Sequence, residues 1–314
     1  MPNDVLRERF PAFVDKVETP SGIRTRFHAP DDEATSDLAA KAGRAALEAA
    51  GLEPRDVDLI LVGTDTPDHL TPSTSVIVQH LLGAERAGTF DVGCACASFP
   101  TALATANGLI ATNPAIRNVL VIGAYLMHRL ADPDDPMFFF YGDGAGAAVV
   151  RASDRPGLEA SAFRANGAHA KQWLIQSGGT REPASHESID AGRTKVRMVE
   201  KYPREINEEG WPMLFRTVCD RAGWKVEDVD LAIFTQVRKS QILRVAEGLG
   251  LGSDRTHLIM HKWGYTGSAC IPMALHDALD EGRLSAGDKV VLVGSGVGYN
   301  QSAVALTITP DLLR

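Results

Sequence analysis

The sequence predicts an α/β fold of stacked helical and sheet layers, and two observations support it. First, three segments recur later in the chain at almost the same spacing, so that Asp230 follows Asp58 by 172 positions. Second, short and wholly apolar runs alternate with segments of helical periodicity, as in mostly parallel sheets that are covered on both faces. Such a recurrence indicates a duplicated unit. The repeated segments are 49–64 with 221–236, 96–103 with 268–275, and 118–123 with 289–294.

The elements of the first unit follow from local patterns. Ser36–Ala50 has helical periodicity, and Gly51 just beyond it is a typical helix end. Val57–Gly63 is short and apolar, which predicts a buried strand. Thr101–Ile110 is rich in alanine and is predicted as the next helix, and Asn118–Gly123 as the next buried strand. The same order of helix, strand, helix and strand is expected in the second unit.

The junction between the two units is predicted near Ser153–Gly157, where Asp, Arg, Pro and Gly cluster. We therefore divide the chain into an N-terminal half, residues 1–153, and a C-terminal half, residues 154–314. The polar stretch Gly178–Arg193 begins with two glycines and has little periodicity, so it is predicted to be a long surface loop.

Composition and charge exclude several classes of protein. The chain of 314 residues has 32 Lys and Arg against 40 Asp and Glu, a net charge of −8, which gives no reason to expect nucleic acid or an anionic membrane as a partner. No apolar run approaches the roughly 20 residues of a membrane span, and the N-terminus lacks the pattern of a signal peptide. Four cysteines in a chain of this length do not indicate a disulfide framework. A cytoplasmic protein is expected.

The stretch that is most informative about chemistry surrounds Cys96. A predicted strand over Thr89–Val92 runs through small residues to Cys96, and a helix is expected to begin near Phe99. Free backbone N–H groups and the positive end of a helix dipole at such a turn lower the pKa of a thiol and favour a thiolate nucleophile. Two alternatives stay open, namely that Cys94 and Cys96 are small core residues or metal ligands, although the other two cysteines lack a metal-type spacing.

Five segments resemble the β-ketoacyl-acyl carrier protein (ACP) synthase III branch of the thiolase superfamily, in the same order along the chain. Residues 90–99 are similar to that family's nucleophile segment, and residues 141–147 to its glycine-rich strand turn. The other three are residues 21–24, 67–72 and 294–298. The resemblance covers nearly the whole chain and implies a thiolase-like duplicated five-layer α-β-α-β-α sandwich that forms a homodimer.

The resemblance implies an acyl-thioester-processing enzyme, an acyltransferase, with Cys96 as the residue that accepts the acyl group. It also implies an oxyanion hole made by the backbone N–H groups of Cys96 and Gly296, and such donors stabilise a transition state by several kcal/mol. Glycine at position 296 lets the backbone approach a thioester closely. Acyl-CoA or an acyl carrier protein is implied as the carrier of the acyl group, with no metal or other cofactor.

Two positions depart from the family pattern. Thr235 stands where the family has the His of a His-Gln-Ala-Asn motif, and Tyr265 where it has the Asn of a Gly-Asn-Thr turn. In the family these side chains donate hydrogen bonds to the enolate that forms when malonyl-ACP loses CO2. Thr and Tyr also donate, but a Thr hydroxyl cannot exchange protons near neutrality. We therefore expect Thr235 and Tyr265 either to be polar groups of the site or to fill space, and we do not expect ordinary decarboxylative fatty-acid initiation.

Three functions are compatible with this pattern. The first is acyl transfer from Cys96 to another nucleophile. The second is condensation with other acid–base residues, because residues 62–66 are similar to a segment of HMG-CoA synthases whose Glu is the general acid/base, and Asp65 takes its place. The alternative for Asp65 is the capping of a turn. The third is a non-catalytic partner subunit of a ketosynthase-like complex, against which the retained Cys96 and Gly296 argue.

Three further residues are expected to contact the substrate. The resemblance places Thr71 on the loop that closes the acyl pocket of a partner subunit, and Arg238 at the mouth of the tunnel for the pantetheine arm. Residues 138–140 are three consecutive phenylalanines that cannot all face one core, so at least one, taken as Phe139, is expected to line the pocket or the dimer interface. The family also opens with a short strand before the segment matched by Asn3, so either that strand is dispensable here or the recorded start is internal.

Overall fold

The secondary structure is taken from a computed structural model, which describes residues 1–155 and 157–313. The helices are α1 (Asn3–Arg7), α2 (Pro11–Ser21), α3 (Thr35–Ala50), α4 (Thr74–Leu82), α5 (Ser98–Thr112), α6 (His186–Asp190), α7 (Glu205–Ala222), α8 (Lys239–Leu249), α9 (Met260–Trp263) and α10 (Cys270–Asp280). The strands are β1 (Leu59–Gly63), β2 (Gly88–Val92), β3 (Asn118–Tyr125), β4 (Gly144–Arg151), β5 (Leu158–Ala165), β6 (Trp173–Leu174), β7 (Arg197–Met198), β8 (Leu231–Phe234), β9 (Lys289–Gly296) and β10 (Asn300–Thr307). Each predicted element of the first unit is present to within a few residues.

The strands form one four-stranded mixed sheet in each half, and β6 and β7 form a separate two-stranded antiparallel sheet. The prediction of mostly parallel sheets is therefore wrong for the second half, where two of the three pairings are antiparallel. In the first sheet the order is β2-β1-β3-β4, in which β1 pairs in parallel with β2 and β3, and β4 is antiparallel to β3. In the second the order is β5-β10-β9-β8, in which β8 and β9 are parallel and β10 is antiparallel to both of its neighbours. The apolar strand β1 is buried along its whole length, as the sequence predicts for a strand covered on both faces.

The helices complete a five-layer sandwich. α5 lies between the two sheets, where it contacts β1 and β3 of the first and β9 and β10 of the second. α10 shares this middle layer and contacts β3, β4 and β8. α3 and α4 cover the first sheet from outside, and α7 covers the second with α8 packed beside it. The predicted fold class, a duplicated α-β-α-β-α sandwich, is therefore confirmed.

The predicted surface loop Gly178–Arg193 is wrong in part, because it contains α6. The Ser185 hydroxyl caps this helix by accepting a hydrogen bond from the Ser188 N–H at 3.2 Å. A helix of five residues is too short to produce a helical period in the sequence, so periodicity could not reveal it.

The expectation that three consecutive phenylalanines cannot share one core is also wrong. Phe138, Phe139 and Phe140 are all buried and all belong to the main hydrophobic core. They lie on a 3-10 turn over Pro136–Phe140, in which three successive side chains point in three directions. The turn passes through the core, so each direction meets apolar neighbours. Phe13, for example, packs edge-to-face on two of the three rings.

The division into residues 1–153 and 154–314 stays a prediction, and Pro156 within the predicted junction lies outside the described residues. None of the helices in the described part of the chain is long and apolar enough to cross a bilayer.

The two sheets differ at one edge. β10 lies between β9 and β5 and is buried, whereas its counterpart β4 stands at the end of the first sheet and is only half-buried.

Candidate active site

Cys96 lies in a tight 3-10 turn, Ala95–Ala97, between β2 and α5. Ala95 has a φ of 47°, a left-handed conformation that is uncommon for a residue with a Cβ. The Cys94 N–H donates to the Ser98 hydroxyl at 2.9 Å, which closes the turn at the start of the helix. The Cys96 residue is only 4% exposed, so its thiol faces an enclosed site.

Tyr265 is the side chain that contacts the sulfur. Its hydroxyl forms a hydrogen bond with Cys96 Sγ. The Tyr265 backbone is fixed on both sides, because its N–H donates to the Phe140 carbonyl at 2.8 Å and its carbonyl accepts from the Gly142 N–H at 3.0 Å. A Cβ on Gly142 would lie 2.1 Å from the Trp263 carbonyl oxygen, so glycine is required for this close approach. The glycine-rich segment thus holds the tyrosine against the thiol.

The thiol is not activated by its surroundings in the way that the sequence suggests. Burial and the negative charge of Asp65 raise the pKa of Cys96 well above its ordinary value, while the hydrogen bond from Tyr265 lowers it. The expected lowering of the pKa by the start of the helix is therefore outweighed. The physical reason is that the turn is enclosed between the two sheets and has a carboxylate near it.

Asp65 follows β1, and the structure brings its carboxyl group to the same site. The Ser268 hydroxyl donates to Asp65 Oδ1 at 2.8 Å and also lies 3.1 Å from the carbonyl oxygen of Ala95. Burial raises the pKa of Asp65 to about 6, and the hydrogen bond from Ser268 opposes that rise. Asp65 is therefore a carboxyl group that titrates close to neutrality near the Cys96 thiol.

Thr235 occupies a different position, at the end of β8 and against the glycine-containing end of β9. Its hydroxyl accepts a hydrogen bond from the Ser295 N–H at 2.8 Å. The Ser295 hydroxyl in turn accepts from Gln301 Nε2 at 3.0 Å and from the indole N–H of Trp211. Thr235 thus belongs to a buried polar network that fixes the strand end before Gly296.

Gly296 is packed against the nucleophile segment. A Cβ added to Gly296 would lie 2.0 Å from the Cys94 carbonyl oxygen and 2.9 Å from the Ala95 Cβ. No side chain fits there without displacing the turn that carries Cys96. The backbone of Gly296 therefore lies directly against the turn that carries Cys96.

The three predicted substrate contacts have different surroundings. Thr71 is exposed, and so is Arg238, which lines a groove of about 480 Å³ together with Lys16, Pro20, Arg204 and Arg244. Phe139 lies in the core, where the Arg26 guanidinium lies 4.8 Å from its ring centroid. The structure gives Phe139 core neighbours and no place on an open pocket wall.

Outside this site, one cluster in the described residues has the composition of a metal site. His257, Asp277 and Glu281 bring potential ligand atoms within 4.8 Å of one another. Lys262 Nζ already lies 2.8 Å from both Asp277 oxygens and 2.7 Å from Glu281. The ammonium group supplies the positive charge, so the cluster fits an ion-pair network better than a cation site.

Sequence reasoning missed Ser268 as a residue of this site. It also missed two titratable neighbours of the thiol, Cys270 and Tyr125. Burial raises the pKa of Cys270 to about 12. The Tyr125 ring packs on Tyr265 with centroids 6.0 Å apart. The internal repeat could have revealed Ser268, because it follows Cys96 by the same 172 positions.

Comparison with known proteins gives consistent matches along the chain. Residues 90–167 match the family model of 3-oxoacyl-[acyl-carrier-protein (ACP)] synthase III, and residues 219–308 match the model of its C-terminal part. β-Ketoacyl-[acyl-carrier-protein] synthase III of Neisseria meningitidis is 35% identical over 312 residues, which cover 97% of this chain and 93% of the relative.

Solved structures agree with this match. The crystal structure of 3-oxoacyl-(acyl carrier protein) synthase III from Pseudomonas aeruginosa is 30% identical, with a TM-score of 0.88, and the match covers 98% of this chain and 94% of that one. The crystal structure of a priming β-ketosynthase from a polyketide biosynthetic pathway is 29% identical, with a TM-score of 0.85, and the match covers 94% and 88%.

Proposed function

Because the chain belongs to the 3-oxoacyl-[acyl-carrier-protein] synthase III family, we propose that it is an acyltransferase that carries the acyl group on Cys96. The observation that carries the proposal is the enclosed contact between the Cys96 thiol and the Tyr265 hydroxyl. The close packing of Gly296 on the nucleophile segment supports it. Thioester exchange requires a thiol with a polar partner and backbone N–H groups that can donate hydrogen bonds to the developing oxyanion.

In the proposed first step the sulfur of Cys96 attacks the carbonyl carbon of an acyl thioester. The oxyanion that develops is stabilised by the backbone N–H groups of Cys96 and Gly296. The new C–S bond forms as the bond to the carrier thiol breaks, and the departing thiolate takes up the proton that Cys96 releases. The Tyr265 hydroxyl stabilises the negative charge on the sulfur, because its hydrogen bond favours the thiolate.

Two observations support a second step other than ordinary decarboxylative initiation. The Thr235 hydroxyl is engaged with the Ser295 N–H, and it does not titrate near neutrality. The Tyr265 hydroxyl is engaged with the sulfur, and burial raises its pKa well above the ordinary value. The acyl group is therefore proposed to pass to another nucleophile, or to undergo a condensation whose proton transfers use a different residue. A non-catalytic partner subunit is the competing class.

Acyl-CoA or an acyl carrier protein is the proposed carrier. The groove beside Arg238 supports this, because Lys16 and Arg204 also line it, although the charge of Arg244 there is paired with Glu208. Phosphate groups bind readily to such a cluster. The chemistry requires no metal or organic cofactor. A homodimer and a cytoplasmic location stay predictions.

The decisive experiment is the intact mass of the protein after incubation with a donor panel. The panel contains acetyl-, butyryl-, octanoyl- and benzoyl-CoA and an acetylated, phosphopantetheine-bearing acyl carrier protein. We expect the mass to rise by one acyl group in the wild type and in Cys94→Ala, and to stay unchanged in Cys96→Ala. Cys94 is the matched control, because it lies two residues away and is only half-buried.

The outcomes separate the competing classes. Loading that survives in Cys96→Ala would contradict the assigned nucleophile. No loading of the wild type from any donor would favour a non-catalytic subunit. Addition of acetyl-CoA or malonyl-CoA to the loaded enzyme then separates the two second steps. A product with a new carbon–carbon bond would indicate condensation, without decarboxylation if it forms from acetyl-CoA and with decarboxylation if it forms only from malonyl-CoA, and its absence with both would favour transfer to another nucleophile.

A further inference from the structure

The duplication places a serine opposite the nucleophile. Ser268 follows Cys96 by 172 positions, and each lies in the middle of a 3-10 turn that leads into a middle-layer helix. The first residues of the two turns share a left-handed conformation, with φ of 47° at Ala95 and 44° at Gly267. The two turns contact each other across the centre of the molecule. The Ser268 hydroxyl therefore belongs to the same site as the thiol.

Ser268 holds a carboxyl group at that position. Its hydroxyl donates to Asp65 Oδ1 at 2.8 Å and lies 3.1 Å from the Ala95 carbonyl oxygen, directly before Cys96. Among the described residues, none of the ion pairs includes Asp65. A largely enclosed carboxylate without a cationic partner destabilises a fold, so a role in the chemistry of the site accounts for its presence better than a structural one.

The titratable groups that Asp65 influences are thiols and phenol hydroxyls, which are uncharged when protonated. Its negative charge raises the pKa values of Cys96, Cys270, Tyr125 and Tyr141, which come from α10, β3 and the turns beside them. Each of these four has a pKa far above neutrality, whereas that of Asp65 is about 6. Asp65 is therefore the group of this cluster that gains and loses a proton under working conditions.

We propose that Asp65, held in place by Ser268, accepts the proton of the Cys96 thiol during acyl loading and delivers it to the departing carrier thiolate. This role rests on the proposed acyl-Cys96 function. The balance closes without a further reactant: the proton leaves Cys96, the sulfur bonds to the acyl carbon, the carrier C–S bond breaks, and Asp65 returns the proton to the carrier. Asp65 is the acid–base residue in this scheme, and Ser268 is a positioning residue.

The test uses two reactions of the same thiol that respond to Asp65 with opposite sign. In Asp65→Asn the negative charge that raises the pKa of Cys96 is gone, so alkylation of Cys96 by iodoacetamide at pH 8 becomes faster. Acyl loading from the CoA thioester that loads the wild type fastest becomes at least tenfold slower, because the proton acceptor is lost. Both rates are read from intact mass in a Cys94→Ala background. An effect through charge or packing alone would move both rates in the same direction.

A second variant tests the positioning residue. The hydrogen bond from Ser268 lowers the pKa of Asp65. In Ser268→Ala we therefore expect the midpoint of the pH profile of acyl loading, about 6 in the wild type, to move to a higher pH. Ser302→Ala is the matched control, because the Ser302 hydroxyl is buried and donates to the Ala97 carbonyl on the same turn at 2.9 Å. The midpoint of the pH profile of loading in Ser302→Ala is expected to equal that of the wild type.

The experiments distinguish a failure of the proposed function from a failure of the role of Asp65. A wild type that loads from none of the panel donors would overturn the proposed function and this role with it. A wild type that loads while Asp65→Asn loads as fast would overturn the role of Asp65 alone. An unmoved pH profile in Ser268→Ala would remove Ser268 from the scheme, and acyl transfer through Cys96 would stand.

Discussion

The reactivity of Cys96 depends on two neighbours that act in opposite directions. The carboxylate of Asp65 raises the pKa of the thiol, and the hydroxyl of Tyr265 lowers it through a hydrogen bond. A substitution of either residue removes its effect on the pKa of Cys96 and leaves the effect of the other. The site can therefore be tested one residue at a time.

Removal of the tyrosine hydroxyl should make the thiol less acidic. In Tyr265→Phe the hydrogen bond that stabilises the thiolate is lost, so we expect the midpoint of Cys96 alkylation by iodoacetamide to move to higher pH, with a rate about tenfold lower at pH 8. Tyr125→Phe is the control, because the Tyr125 ring packs on Tyr265 at 6.0 Å and its midpoint is expected to stay in place. An unmoved midpoint in Tyr265→Phe would refute the hydrogen bond.

Thr235 replaces a histidine of the family pattern, and its structural partner suggests why a hydroxyl is useful there. Thr235→Val keeps the shape but leaves the buried Ser295 N–H without an acceptor, which costs about 1–3 kcal/mol of unfolding free energy. Thr235→Ser restores the acceptor and should recover most of the loss, as measured by urea unfolding. A Val variant that is as stable as the wild type yet fails to load would instead indicate a direct chemical role.

At the scale of elements, the end of β9 and the turn before α5 form one unit. The strand end is fixed by the Thr235–Ser295 hydrogen bond, and Gly296 packs directly on the nucleophile segment. The proposed oxyanion hole would thus require the alignment of two elements from different halves of the chain.

Gly296→Ala tests that alignment. The added Cβ would lie 2.0 Å from the Cys94 carbonyl oxygen, so the strand and the turn must separate. We expect a loss of roughly 1–3 kcal/mol of stability and at least a tenfold loss of acyl loading. Gly93→Ala is the control in the same segment, since its Cβ would meet no atom within 4 Å. Loading of Gly296→Ala at the wild-type rate would exclude this strand end from the oxyanion hole.

At the scale of the whole molecule, Asp65 makes the stability of the fold depend on pH. Burial raises its pKa from 3.8 to about 6, so between these values the folded state keeps a proton that the unfolded state releases. Stability therefore falls as pH rises from about 4 to 7, by roughly 3 kcal/mol.

Asp65→Asn should remove this dependence. Its amide oxygen can still accept the Ser268 hydrogen bond, so the variant is expected to match the wild type near pH 4 and to be more stable by roughly 3 kcal/mol near pH 7. Urea unfolding at several pH values measures the difference. Parallel curves for the two proteins at all pH values would contradict the burial of an ionising carboxyl at this position.

The dimer expected from the resemblance also belongs to this scale. β2 is the end strand of the first sheet and carries Phe90, which is 39% exposed. We expect Phe90→Asp to shift the mass measured by light scattering toward the monomer. Phe163→Asp, at a residue 58% exposed on the end strand of the second sheet, is expected to leave it unchanged. A dimer that withstands Phe90→Asp would place the interface elsewhere.

The amino-acid sequence alone was enough to predict the duplication, the alternation of helices with buried strands, and the turn that carries Cys96. These depend on local signals: apolar runs that make buried strands, glycines that end helices, and a repeat spacing of 172 positions that survives in the two 3-10 turns. The sequence did not allow us to predict the burial of three consecutive phenylalanines or the short helix α6. Both depend on what packs around a segment, and local patterns carry no such information.

Which residues contact each other could be read only from the folded chain. The contact of Tyr265 with Cys96 and that of Ser268 with Asp65 join positions 169 and 203 residues apart. The direction of the Cys96 pKa shift was likewise decided by enclosure and by a neighbouring carboxylate, which outweigh the start of a helix. Electrostatic effects in a site depend on distance and burial, and both are set by the packing of one half of the molecule on the other.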